Sequence, residues 1–226
     1  MKRIIVFLCS LVIFALCSKK ETIKIEGSLP DSTFNGSKIY LVALDGPISR
    51  NVDSTIITDR KFYFEKEADS MCVKILRVQA RLQFSIQDLV VVLEPGDLKV
   101  NMSANSHGEG TRLNNILQSW KDKKLSYDSI RWDLNKEKRE NGAAFQLIDS
   151  ITNFSKKMDF MYKSYVMKLM NDNINNGIGL LLFKVYYPEL TAADKLRILK
   201  KTGNLYKRKD AQLKLMIEKD RNSVQK

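Results

Sequence analysis

Hydrophobic and polar positions repeat with two different periods along this chain. Between residues 21 and 102, short apolar runs alternate with polar residues and end at turn formers such as Gly27 and Pro30. A period of about two is typical of strands with one buried face. After residue 110 the apolar positions recur every three or four residues, which indicates helices. The pattern therefore predicts an α+β protein, with a β-rich region at residues 21–105 and an all-helical region at residues 106–226.

The N-terminal half is predicted to be an antiparallel β-sandwich of seven or eight short strands. Asp59 and Arg60 form the expected tight turn of a hairpin between two of these strands. The glycine-rich segment 106–110 is predicted to be a loop that ends the β region. The expected strands are residues 22–26, 38–44, 52–58, 61–65, 71–77, 80–86, 89–93 and 98–102.

The helical half opens at Thr111, a residue type that often caps a helix N-terminus. The spacing predicts a first helix through Trp120 and a separate, highly charged helix over residues 127–140, stopped by Gly142. Further helices are expected from residue 178 to Tyr187, after Thr191, and over residues 210–221.

A long helix between these segments carries the strongest periodic signal. Seven large apolar residues follow each other at steps of three and four, which places them on one helix face. We expect this stripe to pack within its own molecule, against the sheet. The alternative is a coiled-coil seam between two molecules. The stripe consists of Leu147, Ile151, Phe154, Met158, Met161, Tyr165 and Leu169.

The N-terminus has the organisation of an export signal. Lys2 and Arg3 precede a 13-residue apolar run over residues 4–16, and Cys17 follows. The run is shorter than the about 20 residues that a membrane span needs, so residues 1–17 are predicted to be a signal peptide. Residues 14–17 resemble a lipobox, although Leu16 stands where a small residue is usual. We expect Cys17 to be lipidated and to anchor the protein in the periplasm or outer membrane. Ordinary cleavage after Cys17 is the alternative.

The net charge of +12 is concentrated in the C-terminal half. Residues 18–118 contain 13 basic and 13 acidic residues, whereas residues 119–226 contain 23 basic and 13 acidic ones. An excess of this size favours anionic partners, such as an acidic surface ligand or an acidic envelope protein. The export signal argues against nucleic acid. The predicted anion-binding patch consists of Lys195, Arg197, Lys200, Lys201, Lys207, Arg208 and Lys209.

No catalytic, metal-binding or cofactor-binding motif is present in the sequence. After Cys9 and Cys17 in the signal, Cys72 alone remains, so no C-x-x-C redox centre exists. Cys72 is expected to be a small buried residue of a strand. His107 is the sole histidine and is expected to be a solvated loop residue without a nucleophile motif.

Six short motifs occur in an order that resembles one family. The order is similar to that of the uncharacterised N-terminal domain DUF4369, which precedes thioredoxin-like domains in Bacteroidetes-type envelope lipoproteins. The motifs are Ile25-Glu26-Gly27, Ile39-Tyr40-Leu41, Val52-Asp53-Ser54, Phe62-Tyr63-Phe64, Leu93-Glu94-Pro95-Gly96 and Gly110-Thr111-Arg112-Leu113-Asn114.

Two departures from the family pattern bear on structure and function. Arg60 stands where the family's hairpin commonly has glycine, which is tolerable where the turn has negative φ angles. The sequence ends at Lys226, about where the resemblance places a redox domain. The resemblance therefore implies an address and a fold, and it implies no chemistry for this chain.

The expected function is that of a non-enzymatic cell-envelope lipoprotein that binds a ligand or partner, without a cofactor. One alternative is the docking or sensing half of a thiol-disulfide oxidoreductase system that lacks its thioredoxin domain. A stalk or dimeric spacer built on the long helix is the other alternative.

Overall fold

A computed structural model of the chain describes residues 21–44, 46, 52–79, 85–140 and 145–224. Within these residues, eight strands precede six α-helices, as the α+β prediction requires. The strands are β1 (Thr22–Ser28), β2 (Lys38–Ala43), β3 (Asp53–Ile56), β4 (Lys61–Glu67), β5 (Asp69–Val78), β6 (Leu89–Leu93), β7 (Gly96–Asn101) and β8 (His107–Glu109). The helices are α1 (Arg112–Glu140), α2 (Phe145–Asp172), α3 (Gly177–Tyr186), α4 (Ala192–Thr202), α5 (Leu205–Lys209) and α6 (Ala211–Val224).

The strands form two four-stranded sheets that face each other. The first sheet has the order β4-β1-β7-β8 and the second β3-β2-β5-β6. Alternate residues of both sheets, including Ile23 and Ile25 of the first and Leu76 and Val91 of the second, share one buried core. The predicted sandwich is therefore confirmed. The pairing is antiparallel except between β1 and β7, which run parallel.

Helices form a third layer on the outer face of the second sheet. Val90 and Val92 of β6 point away from the sandwich and pack with the helices. They lie in one cluster with α3, whose residues 177–184 are all buried. Because β6 is covered on both faces, its sequence is an unbroken apolar run and does not alternate with polar residues.

A buried carboxylate joins the sandwich to the first helix. Glu94 follows β6, is 7% exposed, and accepts hydrogen bonds from the backbone N–H groups of Leu113 and Asn114. Asn114 in turn bonds both the N–H and the carbonyl of Val92, at 2.9 Å each. These N–H groups have no partner within the helix, and the helix dipole favours a negative charge there.

Gly110 lets the chain approach the sheet just before this helix. Its φ of 128° lies in the region that favours glycine, and a Cβ atom would lie 2.3 Å from the carbonyl oxygen of Asp97. The capping prediction for Thr111 is wrong in its detail. Its hydroxyl accepts from the side-chain amide of Asn114, while Glu94 caps the backbone.

The predicted hairpin around Asp59 and Arg60 is a tight turn between two sheets. Thr58 and Lys61 form a single bridge, after which β3 joins the second sheet and β4 the first. Both turn residues have positive φ, 49° and 62°. This type of turn favours glycine, which the family commonly has at the position of Arg60. Asn35 compensates, since its side chain accepts a 2.8 Å hydrogen bond from the Arg60 N–H.

Three further boundaries differ from the predictions. The two helices expected on either side of residue 121 are one helix, α1, because residues 121–126 contain neither proline nor glycine to interrupt it. The segment 106–110 contains strand β8, which pairs with β7. Residues 80–84 of a predicted strand lie outside the described residues, and residues 85–88 form no strand.

The long apolar stripe is buried only in part. Ile151 is buried, whereas Phe154 and Met161 are 52% and 61% exposed. The side chain of Leu147 lies outside the described residues. The face of α2 that packs inward contains Val166 and Met170, and these residues contact α3 and its neighbours. The sheet is covered by α3, and the expected packing of the stripe against it is wrong for Phe154 and Met161, which are exposed. None of the described helices is long and apolar enough to cross a membrane.

Replacing Glu94 tests the junction. We expect Glu94→Ala to lower the free energy of unfolding by about 2 kcal/mol, because two N–H groups lose a charged acceptor in a buried site. Denaturant unfolding followed by circular dichroism measures the change. Glu26→Ala, on the exposed face of β1, is the control and should stay within about 0.5 kcal/mol. Equal effects of the two substitutions would contradict the role of Glu94.

Candidate functional site

A cleft of about 400 Å³ opens between α1, α2 and the end of α3. Its size lies within the range of small-ligand sites, roughly 300–1,000 Å³. Helix α2 runs back antiparallel to α1, so side chains from both helices meet on this side of the pair. The lining residues are Lys124, Tyr127, Asp128, Arg131, Asp159, Tyr162, Lys163, Val166, Met167, Val185, Tyr186, Glu189 and Leu190.

Three tyrosines from three helices organise the cleft. The rings of Tyr127 and Tyr162 stack with centroids 4.1 Å apart and an interplanar angle of 8°. The hydroxyl groups of Tyr162 and Tyr186 lie 2.9 Å apart. The Tyr127 hydroxyl donates a 2.6 Å hydrogen bond to the Asp159 carboxylate. The rings form a wall whose polar edges are fixed by these bonds.

Some charged side chains of the cleft have an ion-pair partner and others do not. Lys124 pairs with Asp128 at 2.5 Å on α1, and Arg131 lies 3.9 Å from Asp159. Lys163 on α2 and Glu189 after α3 are exposed and have no ion-pair partner among the described residues. A cation and an anion therefore remain available on different walls of the cleft.

The stacked tyrosines, Tyr127 and Tyr162, stay neutral at ordinary pH. Burial, followed by the hydrogen bond to Asp159, raises the pKa of Tyr127 to about 12. Burial and the Tyr186 hydroxyl raise the pKa of Tyr162 well above its usual range. Neutral phenols donate and accept hydrogen bonds but remove no proton from a substrate near pH 7.

The lining of the cleft is aromatic, aliphatic and charged. No serine, cysteine or histidine is among the described residues that line it. In the part of the chain that the structure describes, no three His, Cys, Asp or Glu side chains converge as a metal site. Stacked rings, aliphatic walls and charges of both signs fit an amphipathic ligand with polar ends.

None of the cleft residues was predicted as a site. They are distant in sequence and come together only because α2 folds back along α1. The sequence did contain one usable signal, since Asp159 and Tyr162 lie one turn apart on the polar flank of the apolar stripe. Their partners on α1 and α3 carried no comparable pattern.

The predicted anion-binding patch is divided by ion pairs. Lys195 pairs with Asp220 at 2.9 Å and lies over the Tyr187 ring, Arg197 pairs with Asp194 at 2.9 Å, and Lys209 pairs with Asp69 at 2.8 Å. Lys201 contacts the side chain of Asn171. Four members have no carboxylate partner among the described residues, namely Lys200, Lys201, Lys207 and Arg208. Anion binding by the patch stays a prediction.

The remaining predicted residues lie apart from the cleft. His107 is exposed in β8, with Nε2 3.6 Å from the Glu109 carboxylate. Cys72 is half-buried in β5, and burial raises the pKa of its thiol, which disfavours the reactive thiolate. Cys17, the predicted lipidation site, lies outside the described residues.

Comparison with known proteins gives a family match for the N-terminal part. Residues 23–117 match the family model described as a domain of unknown function, DUF4369. The resemblance inferred from the six motifs is thereby confirmed over the sandwich and the first turns of α1. No curated protein and no solved structure matches the chain.

The raised pKa of Tyr127 predicts a loss of stability at high pH. The pKa of Tyr127 in the folded state lies above the unfolded value near 10. The stabilisation that the neutral phenol contributes to the fold is therefore complete below pH 10 and is lost as pH rises through about 12. We expect Tyr127→Phe to lose less stability than the wild type between pH 10 and pH 12. Denaturant unfolding at each pH measures the difference. Parallel losses in both proteins would show that this phenol titrates normally.

Proposed function

We propose that the protein, whose residues 23–117 match DUF4369, is a non-enzymatic, lipid-anchored module of the cell envelope. Its task is to hold a ligand or partner in the cleft of the helical half. The observation that carries this proposal is the cleft itself, in which stacked Tyr127 and Tyr162 stand between charged walls.

The lining supports binding rather than turnover. General acid-base or nucleophilic catalysis needs a group whose pKa lies near the working pH or an activated nucleophile. The pKa values of Tyr127 and Tyr162 are raised away from that range. Asp159 is engaged by Tyr127, and Asp128 is engaged by Lys124.

The ligand that fits best is a peptide segment carrying both signs of charge. Lys163 offers a cationic group, and Glu189 offers a carboxylate on another wall. The apolar side chains of Val166 and Leu190 accommodate the body of such a ligand. Aromatic rings bind peptide side chains over large areas at a low cost in side-chain entropy.

The address of the protein is part of the same proposal. The basic start, the short apolar run and Cys17 support export and acylation. An acyl chain gains about 0.8 kcal/mol per buried CH₂ group, so two chains on one cysteine hold a protein firmly at a membrane. The binding cleft would then act at the membrane surface of the periplasm or outer membrane.

The alternative is a docking half of a thiol-disulfide system that works with a separate thioredoxin-like protein. The DUF4369 match supports this alternative through the architecture that the family resemblance implies. Cys72 is a poor exchange partner, because burial raises its thiol pKa and no second described cysteine lies beside it. In this alternative the chain contributes recognition, and the redox chemistry belongs to its partner.

Photocrosslinking tests the cleft in intact envelopes. A photoreactive residue in place of Lys163 is expected to form adducts with a peptide or protein, whereas the same residue in place of Lys24, exposed on β1, forms few. Adding Tyr127→Ala should reduce the adduct yield about tenfold, since about 1.4 kcal/mol of aromatic contact is lost. Tyr127→Phe retains the ring and most of the yield.

The adducts also distinguish the two candidate functions. A thioredoxin-like protein as the crosslinked species would favour the docking alternative, and any other peptide or protein would favour an independent binding module. Equal adducts at positions 163 and 24, or none at 163, would contradict binding in the cleft.

Metabolic labelling tests the anchor. Wild-type protein is expected to incorporate labelled palmitate and to sediment with membranes, because the apolar run at residues 4–16 is too short to span. Cys17→Ser should lose the label, while Cys9→Ser should keep it. Labelling that does not depend on Cys17 would reject the lipidation site.

A further inference from the structure

The side of the α1–α2 pair that faces away from the cleft carries an uncovered apolar surface. Lys123 of α1 lies over the Tyr165 ring of α2, with Nζ 4.3 Å from the centroid. Residues at steps of three, four or seven share a helix face, so the residues aligned with Lys123 and Tyr165 lie on this same side. This outer face consists of Ile130 and Leu134 on α1 with Phe154, Met158 and Met161 on α2.

Three of the five residues of the outer face are exposed although they are apolar. Phe154 is 52%, Met161 61% and Ile130 41% exposed. The sandwich and α3 pack on the other side of the pair, where Leu117 and Val166 are buried. An exposed apolar surface of this kind marks an interaction site.

Charged residues flank the outer face in a self-complementary way. Asp133 on α1 and Lys157 on α2 are exposed, and neither has an ion-pair partner among the described residues. Tyr127 stacks on Tyr162, and the helices are antiparallel. Asp133 lies six positions after Tyr127 on α1, and the position level with it on α2 lies six before Tyr162. Lys157 is within about one residue of that position, roughly 1.5 Å of helix rise.

We propose that the outer face binds a second copy of this chain through a two-fold axis parallel to α1 and α2. Such an axis places α1 of one copy against α2 of the other. Equivalent residues of the two copies lie at the same position along the axis. Asp133 of each copy then meets Lys157 of the other, and Phe154, Met158 and Met161 enter a four-helix bundle. The step of three and four along the stripe is the spacing that such bundles use.

This arrangement is compatible with the rest of the molecule. The cleft lies on the opposite side of the helix pair, so dimerisation leaves its lining residues accessible. The inference goes beyond the proposed function and does not depend on it. A copy that binds no ligand would still dimerise, and a monomeric variant would still have an intact cleft.

The mass of the full-length chain in detergent solution, measured by light scattering after size exclusion, tests the proposal. The wild type is expected to be a dimer and Phe154→Asp a monomer. Phe160→Asp is the matched control, because Phe160 is 72% exposed on a different face of the same helix. It should remain dimeric. A monomeric wild type, or equal behaviour of the two variants, would overturn the proposal.

A charge exchange tests the two-fold arrangement. Asp133→Lys and Lys157→Asp should each weaken dimerisation about tenfold, because each dimer contains two such pairs. The double variant should regain the wild-type affinity, and salt should reduce the effect of the single changes. Single changes without effect, or a double variant that is weaker than either, would refute the pairing. Circular dichroism of each variant shows that the fold is retained.

Discussion

The buried carboxylate of Glu94 is the constraint on which the arrangement of the two halves depends. It stands at the end of β6 and accepts the first free N–H groups of α1, while Asn114 continues the hydrogen bonding of Val92. A charge buried without such donors would be costly, so the helix can begin only where its N-terminus points at this oxygen. Two of the family-like motifs, at residues 93–96 and 110–114, therefore meet in space and form one structural unit.

The direction of α1 then determines where the cleft can form. A helix of 29 residues that starts rigidly on the sheet extends beyond the sandwich, and α2 needs 28 residues to return along it. The returning helix has two sides. One side meets α3 and the turn after it, which creates the tyrosine cleft. On the other side, apolar residues such as Phe154 and Met161 are exposed among the described residues. The cleft and the outer face are consequences of the same projecting helix pair.

Local patterns predicted the elements well and the contacts between distant residues poorly. Strand alternation identified β1 and β2, and the Thr191 cap and Gly203 end of α4 follow from residue type alone. The passage of the chain from one sheet to the other at Asp59 and Arg60 had no such signature. The residues of a turn determine its local geometry, whereas packing in the core determines which strands pair. The cleft was missed for a related reason. Its polar contacts, such as Tyr127 with Asp159, join helices that no short-range spacing connects.

The stripe on α2 shows what periodicity does and does not determine. Steps of three and four place Phe154 and Met161 on one face, and that inference is geometric. It does not say whether the opposing surface belongs to the sheet, to another helix or to a second molecule. In this fold α3 covers the sheet, because residues 177–183 are apolar on all sides and the buried Lys184 pairs with Asp210. The amphipathic helix is thereby displaced to the edge of the helical layer, where part of its apolar surface is left for association.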